Sequence, residues 1–317
     1  MALMVEIVVV APYHLGTPED MPLERPAAKT PTEEKAELVI DGAHYLEWGV
    51  QGDAKEWELW AKQAIRLKNE KVYRIEGVKV QFLKDNVVAY DVTGDHGEIL
   101  EETKNLVVKG NVVTRTANGY RYETDLMNYN SEMKTLDSPS AIRMTGPPDE
   151  DGSVLNLTGR VLHADLNTNI IEVGAHVRAH KVVQNGKTVV ITSQRAILSG
   201  ATHVAKFLGN VVMDVESVRV TGPEAEFKYR AGSDSTLESV VVRGGTRMSD
   251  VDKWATSQEV SYDVEKDRYI FSGSPRVVQN NDELVGDKII LEDGGKQIEV
   301  FNAKAKVDKK RMEHPAQ

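Results

Sequence analysis

The chain has 317 residues, 40% hydrophobic and 28% charged, enough to bury one or two cores beneath a well-solvated surface. Its 39 Lys and Arg against 49 Asp and Glu leave a formal net charge of −10, which argues against a nucleic-acid binder, since that class needs a basic footprint for phosphates. The absence of cysteine excludes disulfides, thiolate metal sites and cysteine nucleophiles, without assigning a compartment.

The first segment, Met1 to Ala11, is apolar but interrupted by Glu6, has no basic residue before it, and is far shorter than the roughly 20 residues of a spanning helix. It reads as a truncated or tagged start or a β-prone edge; the sharper alternative is the remnant of a membrane anchor. Residues 12–33 contain Pro12, Pro18, Pro22, Pro26 and Pro31 and read as an extended linker. At about 3.1 Å per residue, some 20 such residues would reach on the order of 60 Å.

From Ala36 to about Val307 the texture is uniform. Short runs rich in Val, Ile, Tyr and Thr alternate with turn signals at Asp85-Asn86, Asn118-Gly119, Asn185-Gly186 and Asp293-Gly294-Gly295. This is the pattern of many antiparallel strands joined by hairpins. Glu56 to Lys68 is the one stretch that fits a helix or a strand equally well. Lys309, Lys310 and Arg311 belong to a solvated polar tail.

An internal repeat organises this region. The run Leu106-Val107-Val108-Lys109-Gly110-Asn111-Val112-Val113 returns around Gly209, Gly244 and Gly273, and more weakly around Gly77 and Gly174. The glycines at 174, 209, 244 and 273 lie roughly 30 to 35 residues apart. Companion strands precede the anchors, as in Ile191 to Ile197 and Ala255 to Tyr262. Each unit is then two strands and a turn, too small to bury its own apolar face, so neighbouring units must share a core. Alternation within each run puts Leu106, Val108 and Val112 on one face, with Lys109 and Asn111 on the other. The same parity selects Phe207, Val211 and Met213, then Val240 and Val242, then Tyr269, Phe271 and Val277. Near Gly174 the aligned residues are Ile171, Val173, Ala175 and Val177, which a bulge at the glycine would explain.

No chemistry-bearing motif stands out. His176 and His180 are spaced i, i+4, which on a strand separates them by about 13 Å, too far for a shared metal. Carboxylate pairs such as Asp91 and Asp95 look no different from solvated loop acids, and no nucleophile-elbow, zinc-protease or phosphate-loop sequence occurs. An enzyme, a metal site and a cofactor are therefore not expected. Taken alone, the apolar face reads as a closed core before it reads as a binding surface.

These residues resemble a known family. The run Leu106 to Val113, the pair Tyr262-Asp263, and the segment Phe271 to Val277 followed by Gly286-Asp287-Lys288-Ile289 look like the OstA-like repeat of LptA, over roughly residues 185–307. The stretch from about 36 to 180 resembles LptC, through Trp57 to Ala61, Ile75 to Phe82, Gly94-Asp95-His96-Gly97-Glu98, Gly110 to Val113 and Asn118 to Thr124. The resemblance implies an all-β chain of elongated, open β-jellyrolls built from antiparallel strand pairs. The expected organisation is a start and linker over 1–33, an LptC-like jellyroll over 34–182, an LptA-like jellyroll over 183–308 and a tail over 309–317. It further implies a non-enzymatic periplasmic bridge. Lipopolysaccharide acyl chains would occupy a groove lined by Val78, Val80, Leu106, Val108, Val112, Ile142, Met144, Val173, Val177, Phe207, Val211, Met213, Val240, Val242, Phe271 and Val277. The implied partners are lipopolysaccharide, an inner-membrane ABC transporter at the N-terminal edge and an outer-membrane translocon at the last strand, Ile298 to Val307; head-to-tail self-association stays open. LptC-like proteins usually carry an N-terminal membrane helix, which would tether such a bridge. The alternative is a β-solenoid scaffold without lipid cargo; a β-helix enzyme acting on polysaccharide would need regular short rungs and a cluster of acidic or basic residues, and neither is present.

Overall fold

The computed structural model describes residues 36–49, 54–67, 70–149, 152–182, 186–230, 237–279, 282–292 and 297–306. The expected start and linker, the Asp293-Gly294-Gly295 turn, Asn185, Val307 and the polar tail lie outside these residues.

The chain forms two compact units, one of residues 36–117 with Glu123–Leu136, the other of Asn118–Tyr122 with residues 137–306. The first holds β1 (Ala36–Trp48), β2 (Lys55–Leu67), β3 (Val72–Lys84), β4 (Val87–Leu100), β5 (Leu106–Thr116) and most of β6 (Arg121–Asn130). The second holds most of β7 (Thr135–Pro148), then β8 (Val154–Asp165), β9 (Ile170–Val182), β10 (Thr188–Ser199), β11 (Val204–Val215), β12 (Val218–Tyr229), β13 (Leu237–Ser249) and β14 (Lys253–Asp263). It ends in six short strands: β15 (Arg268–Ser272), β16 (Arg276–Gln279), β17 (Asp282–Val285), β18 (Lys288–Glu292), β19 (Gln297–Phe301) and β20 (Lys304–Lys306). The ambiguous stretch at 56–68 is a strand, β2, because its period-two burial of Trp57, Leu59 and Ala61 matches the pleat and not a helical turn.

Pairing is antiparallel between sequence neighbours: β1 to β5 in the first unit, β8 to β14 in the second. Neither unit closes into a barrel. Among the described residues β1 pairs only with β2, β19 only with β18, and β20 only with β17. The Asp85-Asn86 hairpin takes left-handed φ at both positions (52° and 62°), the geometry whose twist suits a two-residue turn.

Register shifts mark a bend in the middle of β4, β5 and β8 to β14, and repeat glycines lie at or beside it on β5, β9, β11 and β13. On β5, β9, β11 and β13 the buried residues flanking it are four apart: Val108 and Val112, Val173 and Val177, Phe207 and Val211, Val242 and Thr246. On β6, β10 and β14 they are three apart: Thr124 and Met127, Ser193 and Ala196, Ser257 and Val260. Register between neighbours shifts at the same places, so β5, β9, β11 and β13 each spend one more residue on the corner than the strands beside them. The extra residue requires left-handed backbone, met at Gly110 and Asn111, Gly209 and Asn210, and Gly244 and Gly245. On β9 the left-handed residues are Ala175 and His176, one step beyond the glycine expected to carry the bulge; Gly174 itself has no positive φ, and Ala175 is exposed instead of facing inward.

Close packing on both sides of the corner fixes the rest. Outside, Gln194 lies across Gly209, Gln258 across Gly273 and Asp95 across Gly110, where a Cβ would collide with them. Asn111 Nδ2 also donates to Asp95 Oδ2 at 2.7 Å. Inside, a Cβ on Gly159 or Gly222 would stand 2.5 or 2.6 Å from the Cγ1 of Val173 or Val242, and Gly94 faces Val108 in the same way. The carbonyls left over at the bend are taken by hydroxyls: Ser193 Oγ donates to the Arg195 carbonyl (3.0 Å) and Ser257 Oγ to that of Glu259 (2.8 Å). Further on, the corner becomes a break. Pro275 has no N–H to continue the ladder, so β15 and β16 are separate strands on opposite halves of β14. The expected last strand is likewise two, β19 and β20, divided at Asn302, whose φ is 52°.

Candidate functional site: the apolar interior

Cross-strand register turns the alternation into rows. In the second unit one inward row runs from Leu162 on β8 through Val173, Ala196, Phe207, Ala225, Val242, Val260, Phe271 and Ile289 to Val300 on β19. On the other side of the corner a second row runs from Leu157 through Ala179, Ile191, Met213, Val220, Met248, Ala255 and Val277 to Leu284 on β17. Every member of both rows is apolar. Among the described residues the buried serine and threonine side chains of this unit, Ser138, Ser193, Thr246 and Ser257, lie beside the bend, where Thr246 Oγ1 and Ser257 Oγ are 2.7 Å apart. A sheet without helices buries both rows only if the bent halves of its strands cover each other.

The first unit is lined in the same way, by Ala64, Ile75 and Val108 on one side of the bend and Leu59, Val80 and Val92 on the other. It adds an aromatic cluster: Trp57 lies 5.0 Å from Tyr45 and 6.3 Å from Tyr129, and Tyr129 lies 4.5 Å from Phe82, between ring centroids. Burial pushes the Tyr129 and Tyr45 phenols up, with Glu56 adding to the first and Glu47 to the second. Lys134 pairs with Glu56 beside the cluster. Trp57 Nε1 is buried with no hydrogen-bond partner among the described residues.

Of the sixteen residues expected to line a groove, fifteen are buried and Met213 is half-buried. Val173, Phe207, Val242 and Phe271 share one row, and Met213 and Val277 share the other; Val108 and Val80 belong to the first unit's lining. Ala196, Ala225, Val260, Leu157 and Leu162 occupy the same rows and were not among the expected residues. Their signal was present in the companion strands, whose register against the anchors assigns them to the same face.

The outer faces are polar and largely self-neutralising. Lys206 pairs with Glu226 (3.0 Å), and Arg243 pairs with both Glu226 (3.7 Å) and Glu259 (2.9 Å), making a ladder from β11 to β14. The hydrogen bond from Lys206, aided by the charges of Lys206 and Arg243, holds the Glu226 carboxyl below the usual carboxylate range. Exposed pairs of this kind contribute little stability each, so their effect is chiefly on register. Both His176 and His180 are exposed, and the described residues contain no group of three His, Asp or Glu side chains able to hold a metal. No helix among them is long and apolar enough to cross a membrane.

Comparison with known proteins separates the chain into two stretches. Residues 2–182 match the family described as lipopolysaccharide-assembly, LptC-related. The chain belongs to that family. Residues 190–312 match a second one, the LptA/(LptD N-terminal domain) LPS transport protein family. Among solved structures, the chain is similar to LptH, the LptA-homologous periplasmic component of the lipopolysaccharide transport device of Pseudomonas aeruginosa. Identity is 16% and the TM-score 0.35, over 38% of this chain and 94% of that one. No curated protein sequence matches the chain. This LptC-related chain is thus a non-enzymatic lipopolysaccharide-transport protein of the periplasm, all-β and built from repeated antiparallel strand pairs.

Proposed function

We propose that the inward rows are the track on which lipopolysaccharide acyl chains move, from an inner-membrane ABC transporter toward an outer-membrane translocon. The observation that carries this is the continuity of both rows across the hairpin between β9 and β10. There the LptC-related match ends at residue 182 and the LptA-type match begins at 190, yet the strands pair from Ile170 with Ser199 to Val182 with Thr188. Residues 34–182 and 183–308 then act as an LptC-like and an LptA-like piece joined covalently, so the lipid meets no gap in its path at the point where they meet.

The energetics fit a passive track. Each acyl methylene exposed to water costs roughly 0.8 kcal/mol, and a chain passing from one apolar row position to the next keeps that burial. No chemistry is needed at any step, and the transporter supplies the work. Because most residues of the rows are buried, loading requires the bent halves to part about the glycine corners. The unpaired edge of β1 would receive the transporter and the edges of β19 and β20 the translocon, each by strand addition. The N-terminal segment would supply the tether.

The burial also fits a second reading, a closed scaffold carrying no cargo, and one experiment separates the two. Photocrosslinking side chains placed at Val108, Phe207 and Phe271, with outward controls at Lys109 and Asn210, are activated in cells. Lipopolysaccharide adducts at the inward sites alone are expected. A folded protein that captures no lipid from any of them would leave the scaffold in its place.

A further inference from the structure

The outer face of the second unit carries a row unlike its neighbours. Beyond the corner, register aligns one outward position on each strand from β8 to β14 and then on β16, β17 and β20. Arg178 occupies it on β9, Arg247 on β13, Arg276 on β16 and Lys304 on β20, and each remaining position is threonine or valine. The row therefore holds four cations and no acid, in a chain whose net charge is −10. On the other side of the corner the outward cations are matched by acids, as in the Lys206, Glu226, Arg243 and Glu259 ladder. Arg178 and Arg247 make no ion pair among the described residues, and both are exposed.

Two of the cations converge. Arg247 and Arg276 flank Thr256 on adjacent strands, so their backbones are about 10 Å apart at two strand spacings. Both guanidinium carbons nevertheless lie over the same indole, 5.2 and 5.1 Å from the centroid of Trp254. Sharing one ring holds both guanidinium groups close together, and Arg276 Nε also meets Glu283 at 2.8 Å.

We propose that this row is a binding surface for an acidic saccharide, with Arg247 and Arg276 gripping a phosphate or carboxylate. The chemistry of the row selects that partner. Guanidinium forks match planar or tetrahedral oxyanions, and the threonine hydroxyls between them offer hydrogen bonds of the kind sugar hydroxyls accept and return. A membrane surface is a poorer match, because the apolar members of the row, Val212 and Val285, are half-buried in the sheet and do not project as anchors. The surface faces away from the interior rows, so it acts whether or not they carry lipid. Lipopolysaccharide offers the required anion as sugar phosphates, and a free acidic glycan offers it as carboxylates.

The test uses the full chain at low ionic strength and calorimetric titration with two probes: fully de-acylated, phosphorylated lipopolysaccharide saccharide, and oligogalacturonate. Saturable binding to at least one probe is expected, weakened roughly ten-fold or more in the double variant Arg247→Gln, Arg276→Gln, as loss of charge-assisted hydrogen bonds predicts. Binding that depends on phosphate assigns the lipopolysaccharide source, and binding to oligogalacturonate the free glycan. Arg195→Gln, on the other outer face, should bind as the unmodified chain does, and Arg178→Gln should weaken binding without affecting the melting temperature. The proposal is overturned by absence of saturable binding to either probe, by equal affinity in the double variant, or by capture of phosphatidylglycerol vesicles in place of both saccharides.

Discussion

Glycine is required at some repeat positions for a specific reason and at others hardly at all. Gly209 and Gly273 combine left-handed backbone, at φ of 79° and 77°, with a glutamine lying across the missing Cβ. Gly174 has neither: no positive φ, and no atom nearer than 3.8 Å to an added Cβ. Gly209→Ala and Gly273→Ala should each cost about 1–3 kcal/mol in urea unfolding, from left-handed strain plus displacement of the glutamine. Gly174→Ala should lie within about 0.5 kcal/mol of the unmodified protein. Equal effects at all three would mean the corners are not where the strain resides. Spacing in the sequence revealed all three glycines, but spacing cannot distinguish them, because φ at a bulge depends on which neighbouring residue takes the extra turn. On β9 that residue is Ala175 with His176, a choice set by pairing to β8 and β10.

At the scale of elements, alternation assigned the inward faces of the anchors correctly except at Ala175 on β9, which is exposed, since elsewhere each face needs only its own strand's parity. Across β10 and β14 parity changes at the bend, so Ala196 and Val260 face inward while the residue selected by simple alternation does not. The breaks at Pro275 and Asn302 were equally hidden. A proline in a strand signals disruption, but the sequence does not say that the two pieces keep one partner, β14, between them. The link between β9 and β10 belongs to this scale as well. If it is simply a turn within one sheet, lengthening it by four glycine and serine residues at Gly186 should cost under about 1 kcal/mol, as loop-closure entropy grows slowly with length. Amide exchange in β9 and β10 should stay equally protected. Loss of protection in one strand alone would make residue 182 a true boundary between independently stable pieces.

For the whole molecule, the ordered series of motifs pointed to lipopolysaccharide transport where no single motif could. A transport track has no catalytic residue to announce it; its information lies in the register that lines up weak signals. That register is the product of many backbone hydrogen bonds and is not written at any one position. The two compact units, divided near residues 117–137, do not coincide with the change of family match at 182–190. Contacts partition a chain by where its strands pack, whereas resemblance follows inherited sequence, and a covalent hairpin lets the two differ.

From β8 to β14 the extra corner residue falls on every second strand, on β9, β11 and β13, and in that stretch it imposes a rule of growth. Excising β11 and β12 together, residues 204–236, would set β13 beside β10, so a four-residue corner would again oppose a three-residue one. Excising residues 204–217 alone would reverse every strand that follows. The first deletion should retain a cooperative thermal transition and dispersed amide resonances; the second should lose both. A chain built this way changes its reach only in steps of two strands, about 10 Å at a time. The distance it spans is therefore counted in whole numbers, and descendants of one ancestor can differ in length by a hairpin but not by half of one.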